Sequence, residues 1–263
     1  MRIVVCMKQV TDPEIPASSF TLDDTGRGLL PPRGVPPVLN PFDENALEAA
    51  LRLKRSHDAE VIVISAGSRL AKAVGIKALA AGADTLLLLE DPELARADAF
   101  TTGNALADAI RAEGGADLIL TGRQSADQDA GIVPHVLAAS LHMPTITLAM
   151  SILLSDDVLQ IERILDDGRE TVETTLPCVV SVSNELGDLP PVTLPQIYKA
   201  KKKPVRKLRP LSPIMNAARR EVLTLEIPQP TENCTMIEES TPDEAIDRLV
   251  SIIGDIRAKG EQG

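Results

Sequence analysis

The sequence predicts an α/β fold built on a mostly parallel sheet flanked by helices, and three observations predict it. Short continuous apolar runs recur through the first half of the chain. Helical patterns lie between them. Alternating apolar and polar residues appear only after Pro144. Continuous apolar runs suit parallel strands covered on both faces, and strands alternating with helices suit the crossovers that join them.

Arg2–Met7 (RIVVCM) reads as the first buried strand, and Val61–Gly67, Thr85–Glu90 and Asp117–Gly122 read the same way. Leu29–Phe42 holds five prolines in fourteen residues. It cannot be regular helix or central strand, so it is a stiff surface excursion between the first strand and the first helix. Asp43–Ser56 is a helix with Ala46, Leu47, Ala50, Leu51 and Lys54 near one face. Asp43 is its expected N-cap, and acids early with Lys54 and Arg55 late suit the helix dipole. Arg69–Gly82 is an alanine-rich helix closing on glycine, and Ala97–Gly114 is a third helix. Val158–Asp167 and Gly168–Pro177 alternate around an Asp-Asp-Gly turn, as an antiparallel hairpin does, and Cys178–Ser183 is again a buried strand. Core-forming texture is sparse from Leu186 until Pro242–Ile256, an amphipathic helix with Ile246, Leu249, Val250 and Ile253 on one face. That helix needs a surface to pack on, in this chain or another. The expected division is 1–185 as the α/β domain and 186–263 as a loop, a basic segment and an arm ending in the helix.

Aromatic residues are 2% of the chain, so the core must come from Leu, Val, Ile and Ala. The net charge of −11 argues against nucleic-acid binding, which rests on neutralising phosphates. Cys6, Cys178 and Cys234 are odd in number and far apart, so no disulfide framework is expected. Together with no apolar run near the ~20 residues of a membrane span and no signal-peptide pattern at Met1–Val10, this suggests a soluble, intracellular, cytoplasmic protein. His57, His135 and His142 lack metal-site spacing, and no nucleophile–base pair marks a catalytic centre.

Binding is more legible than catalysis. Gly122–Val133 (GRQSADQDAGIV) lies where a strand ends and a helix starts, as in phosphate-binding loops. It is neither GxGxxG nor a Walker loop, and an ordinary connection with Asp127 or Asp129 as N-cap fits equally. Met7 and Lys8 follow the first strand, and Ala66 and Gly67 end the second, so all three segments can line one cleft. Asn40 and Asp43 read first as helix caps, and Phe42 as a core plug or an interface anchor. Lys199–Arg209 carries seven cations and no acid, as a solvated segment or a docking surface for an acidic partner.

Together VVCMKQV, NPFDENALEAALRLK, GADTLLLL, DLILTGRQSADQDAG, LPCVVSVSNEL and TLPQIYKAKKKP resemble, in that order, the beta subunit of electron transfer flavoprotein, from Arg2 to about Pro204. The resemblance implies an adenine nucleotide alpha hydrolase-like fold and a heterodimer with an alpha subunit that holds most of an FAD. It implies AMP in the beta cleft, or a second FAD in electron-bifurcating members. Carried over by motif, the cleft is Met7, Lys8, Asn40, Ala66, Gly67, Gly122, Arg123, Gln124, Asp127, Asp129, Ala130, Gly131, Ile132 and Val133, with Phe42 beside the alpha-bound flavin. Ala130, Gly131 and Ile132 stand where family loops often carry Thr, Asn or Gln, which leaves the phosphate to backbone amides. Pro13 stands where some members have an aromatic near the flavin. Leu194 matches the apolar tip of a loop that docks flavin dehydrogenases such as acyl-CoA dehydrogenases. Pro195, Ile197, Lys199, Lys201, Lys202 and Lys203 accompany it, and the last helix resembles the segment that packs on alpha. The alternative outside this class is a stand-alone adenine-nucleotide sensor or hydrolase.

Overall fold

The computed structural model describes residues 1–211, 220, 222–228 and 236–260. Cys234 lies outside them. The chain forms two units, Met1–Glu226 and Ile227–Gly263.

In the first unit the elements run β1 (Arg2–Cys6), α1 (Pro41–Ser56), β2 (Glu60–Gly67), α2 (Lys72–Ala81), β3 (Thr85–Glu90), α3 (Ala99–Ala112), β4 (Leu118–Gly122), α4 (Val133–Leu141), β5 (Thr145–Ser155), β6 (Val158–Leu165), β7 (Gly168–Thr175), β8 (Cys178–Val182), α5 (Leu194–Ala200) and β9 (Val205–Leu208). They build one nine-stranded sheet in the order β7-β6-β5-β8-β4-β1-β2-β3-β9. From β5 through β9 every neighbouring pair is parallel, while β6 runs against both β5 and β7. The chain steps outward from β1 to β2 to β3, then crosses back to place β4 on the other side of β1. The gap between the carboxyl ends of β1 and β4 is therefore the topological switch point, where open sheets bind ligands.

Each central strand feeds two cores, which is why its sequence is apolar without alternation. Ile3 and Val5 join Leu47, Ala50 and Leu79 of α1 and α2 in one layer. Val4 and Cys6 join Leu106, Ile110 and Leu137 of α3 and α4 in the other. Cys6 and Cys178 are buried core thiols. Burial, then the neighbouring Asp43 carboxylate, holds Cys6 far above its usual range, and burial pushes Cys178 up to about 12.

Several boundaries differ from the sequence reading. Helix α1 begins at Pro41 with Asn40 at the N-cap position, so Asp43 lies inside the first turn and is not the cap. The proline-rich excursion contains two-residue ladders, Gln9–Val10 with Val38–Leu39 and Thr21–Leu22 with Leu29–Leu30. Strands β5 and β9 and helix α5 have no counterpart in the sequence reading. The first unit runs to Glu226, and within it α5 packs on α2 and β9 pairs with β3. Leu194 is thus not the tip of a loop. It opens a helix whose first turn is tied by Thr193, which donates through N–H and hydroxyl to Gln196 Oε1 at 2.7 Å each.

The second unit carries α6 (Pro242–Gly260), where Thr241 N–H donates to Glu244 Oε2 at 3.1 Å and Glu244 N–H to Thr241 Oγ1 at 3.3 Å. Its apolar residues Ile246, Leu249, Val250, Ile253 and Ile256 are exposed.

Candidate functional site

Asp43 organises the switch point. It projects from the first turn of α1 and is 6% exposed. One carboxylate oxygen accepts from Lys8 N–H at 2.7 Å, the other from Gly122 N–H at 2.9 Å. It thereby joins the carboxyl ends of β1 and β4. Burial pushes its carboxyl up to about 7, against the opposing pull of the Lys8 and Gly122 N–H bonds. Gly122 is required for this approach: a Cβ there would lie 2.6 Å from both the Phe42 carbonyl carbon and Asp43 Oδ1.

Above this floor lies the loop from Gln124 to Val133. Asn40 holds its near end, donating from Nδ2 to Gln124 O at 2.9 Å and accepting Ala126 N–H at 3.0 Å. Its side chain therefore staples the loop and leaves its own helix uncapped, contrary to the cap reading. Lys8 reaches across with Nζ 2.7 Å from Asp127 Oδ1 and 3.4 Å from Ser125 Oγ. Gln124 Nε2 donates to Asp129 Oδ1 at 2.9 Å. Neither Asp127 nor Asp129 caps α4, whose N-cap position is Ile132.

The far end of the loop is a backbone cradle. Asp129 and Gly131 have φ of 50° and 60°. Among the described residues, the consecutive amides of Ala130, Gly131, Ile132 and Val133 have no acceptor, and no side chain caps the helix they lead into. Left-handed residues alternating with others turn successive N–H groups into a concavity that suits an anion. A phosphate therefore fits the residues present, held by backbone. Asn40→Ala is expected to leave Ala126 N–H and Gln124 C=O unpaired, at a cost on the order of 1–3 kcal/mol. A lower denaturation midpoint, measured by calorimetry, checks this.

The Arg123 guanidinium carbon lies 5.7 Å from the centroid of the Phe42 ring, and Nη1 is 3.4 Å from Asn184 Oδ1. Met7 is buried beneath, its N–H bonded to Ile64 O at 2.9 Å. So Met7, Lys8, Asn40, Phe42 and the segment from Gly122 to Val133 meet at one place. Ala66 and Gly67 end β2 on the other side of β1, with no hydrogen bond to the loop. They lead into Ser68 and Arg69, which line a cavity of about 470 Å³ with Gln9, Glu90 and Asp91. Sequence reasoning missed Asp43 as the tie between strands and Ser125 as a neighbour of Lys8. An acid at a helix start already has an adequate local explanation, so no sequence signal pointed further.

The basic segment is divided by the fold. Lys203 turns inward and donates to Leu79 O at 3.0 Å and Ala83 O at 2.6 Å, so it is set apart from the outward lysines beside it. Ile197 is half-buried against the core. Pro195, Lys199, Lys201 and Lys202 are exposed, as are Leu194 (71%) and Tyr198 (67%) one helical turn apart. Lys201 Nζ lies 5.1 Å from the Tyr198 ring centroid.

Residues 32–212 match the family model for the electron transfer flavoprotein domain. The chain belongs to the electron transfer flavoprotein family. It is 34% identical over 259 residues to a caffeyl-CoA reductase-Etf complex subunit of Acetobacterium woodii, covering 95% of this chain and 97% of the relative. It is 36% identical over 206 residues to an electron transfer flavoprotein subunit beta of Clostridium acetobutylicum, covering 78% and 77%. A mitochondrial subunit beta of Oryza sativa subsp. japonica is 31% identical over 251 residues, covering 95% and 97%. The match includes the Asn40 staple, the loop from Gly122 to Val133 and α5, while Lys8 lies before it. Among the described residues, no cluster of His, Cys, Asp and Glu is placed to hold a metal, and no helix is long and apolar enough to cross a membrane.

Proposed function

We propose that this chain is the beta subunit of a heterodimeric electron transfer flavoprotein that carries electrons from flavin dehydrogenases to a downstream acceptor. FAD, bound where beta meets an alpha subunit, supplies the redox chemistry. This chain contributes a wall of that site through Phe42 and Arg123, a docking face on α5, and a nucleotide cleft with a structural role. The observation that carries the cleft assignment is the run of free amides from Ala130 to Val133 at the switch point, in the loop that Lys8 reaches through Ser125 and Asp127. These amides hold a phosphate, Asn40 fixes the loop that presents them, and Lys8, paired with Asp127, ties the same loop to the end of β1. AMP, the nucleotide that the family resemblance implies for this cleft, supplies such a phosphate.

A second reading has its own support. The amide cradle lacks side-chain donors at Ala130, Gly131 and Ile132, so it grips a phosphate without selecting what is attached to it. A relative spanning nearly the whole chain is named as part of a caffeyl-CoA reductase-Etf complex. A second FAD in place of AMP would make the complex electron-bifurcating. Extracting nucleotide from the purified heterodimer separates the two: AMP equimolar with FAD supports the first, FAD alone at twice the heterodimer concentration supports the second. Neither nucleotide on beta would sink both.

Leu194 is the proposed apolar anchor, with the surrounding cations raising the association rate of an acidic partner. Leu194→Ala is expected to slow flavin reduction by an acyl-CoA dehydrogenase about tenfold, on the order of 1.4 kcal/mol, while flavin content stays constant. Unchanged stopped-flow kinetics would remove the docking role.

A further inference from the structure

The seven cations between Lys199 and Arg209 do two kinds of work. Arg206 pairs with Glu113, Nη1 to Oε2 at 2.5 Å and Nη2 to Oε1 at 2.9 Å, and Lys207 Nζ pairs with Glu90 Oε2 at 2.7 Å. Both fasten β9 to the body of the unit. Lys203 does something different. Its ammonium sits at the carboxyl end of α2, bonded to the carbonyls of Leu79 and Ala83. The Leu79 oxygen is one of the last-turn carbonyls of α2, which lack intrahelical partners and carry the negative end of the helix dipole, and Ala83 lies two residues past the helix. Lys54 Nζ closes the same end through Gly82 O at 3.1 Å. Burial holds Lys203 below the usual lysine range, Asp84 pulls it back up, and Lys54 lowers it further.

Helix α5 has seven residues, too short to persist alone, so its order comes from packing. It buries Ala200 and half-buries Ile197 against the layer that holds α2. Lys203 follows directly, and Pro204 O then accepts Leu86 N–H at 3.0 Å to start β9. The chain leaving α5 is thus pinned at Lys203. Among the described residues, no acid pairs with Lys199, Lys201 or Lys202, which stay directed outward.

We propose that Lys203 is the positioning residue of the docking helix: it holds α5 against α2 so that Leu194, Tyr198 and the outward lysines meet a partner as one rigid face. This deepens, and rests on, the docking role given to α5. A compact ammonium with three donors serves two converging backbone carbonyls, which leaves it one donor and spends most of its hydrogen bonding inside the fold. Lys203 therefore contributes through geometry, and Lys202 through charge.

The test uses the purified heterodimer with Lys203→Met, which keeps the apolar stem, and Lys202→Met. Hydrogen exchange across residues 194–200 and the salt dependence of flavin reduction by an acyl-CoA dehydrogenase are both measured. Lys203→Met is expected to speed exchange in α5 about tenfold and slow reduction several-fold, with an unchanged salt slope. Lys202→Met is expected to leave exchange unchanged and to flatten the salt slope, since screening acts on an exposed charge. Wild-type exchange in Lys203→Met, or a flattened salt slope there, overturns the proposal. Faster exchange with unchanged reduction overturns it by a separate route, because the docking role itself then fails while the anchor contact stands. Should Lys203→Met fail to fold, Lys203→Gln retains one donating group and carries the same two readouts with smaller changes.

Discussion

Gly122→Ala is expected to lower the thermal midpoint of the α/β unit by roughly 6–12 °C, corresponding to a destabilisation on the order of 3 kcal/mol for a unit of this size. The new methyl group would meet the Phe42 carbonyl carbon and Asp43 Oδ1 at 2.6 Å, and Phe42 Cβ at 2.7 Å. Two of these atoms are fixed by the backbone of α1, so no side-chain rotation relieves the overlap. The first turn of α1 must move away from β4. That movement lengthens the Gly122 N–H bond to Asp43 and shifts Asn40, and with it the loop that Asn40 staples. Nucleotide affinity should fall with stability. Gly67→Ala is the contrasting variant, since its Cβ approaches only the mobile end of Leu70, at 2.9 Å from Cδ2. Scanning calorimetry of both variants checks the pair. Equal midpoints for the two would refute the claim that α1 and β4 are fitted through Gly122.

The Asp43 carboxyl should give the protein a pH dependence that Asp43→Asn removes. Its pKa is about 7 in the fold, against an ordinary value of 3.8. The folded state thus binds this proton more tightly than the unfolded chain does. The resulting stabilisation is complete below the ordinary value and is lost as pH rises through about 7. From roughly pH 5 to pH 8 the unfolded carboxyl stays ionised while the folded one gives up its proton, so stability should fall by on the order of 2–3 kcal/mol. Asparagine does not titrate. It also offers one acceptor oxygen where two amides, of Lys8 and Gly122, need partners, which costs about 1–3 kcal/mol at acid pH. The variant should therefore be less stable than wild type near pH 5, with the gap closing toward pH 8. Denaturant titrations at the two pH values measure this, and a parallel pH slope in the variant would show that Asp43 is not the titrating group.

Helix α1 shows where sequence reading stops. The apolar face of Ala46, Leu47, Ala50 and Leu51 is legible because a helix that packs on a sheet must repeat every three to four residues. Asp43 and Asn40 fit the start of that helix so well as local caps that nothing in the sequence asks for more. Their side chains are spent on partners 35 to 86 residues away, Lys8, Gly122, Gln124 and Ala126. Strand β9 is another case. Val205–Leu208 carries two cations in four residues and reads as solvated, since only the positions of Glu113 and Glu90 turn those charges into ties. Strand β5 was hidden by its register shift against β8 and by Leu148, which sits at φ 61°.

The sequence by itself determined the α/β class, the buried strands, the three leading helices, the hairpin and the family, because each is written in local periodicity or contiguous motif. Only the tertiary structure decided that β4 returns beside β1, that Asp43 bridges them, that Ala66 and Gly67 fall outside the loop's hydrogen-bond network, and that Lys203 turns inward. Those outcomes depend on which strands become neighbours and on which backbone groups are left without partners once they do. That is a property of the assembled sheet, and no window of residues records it.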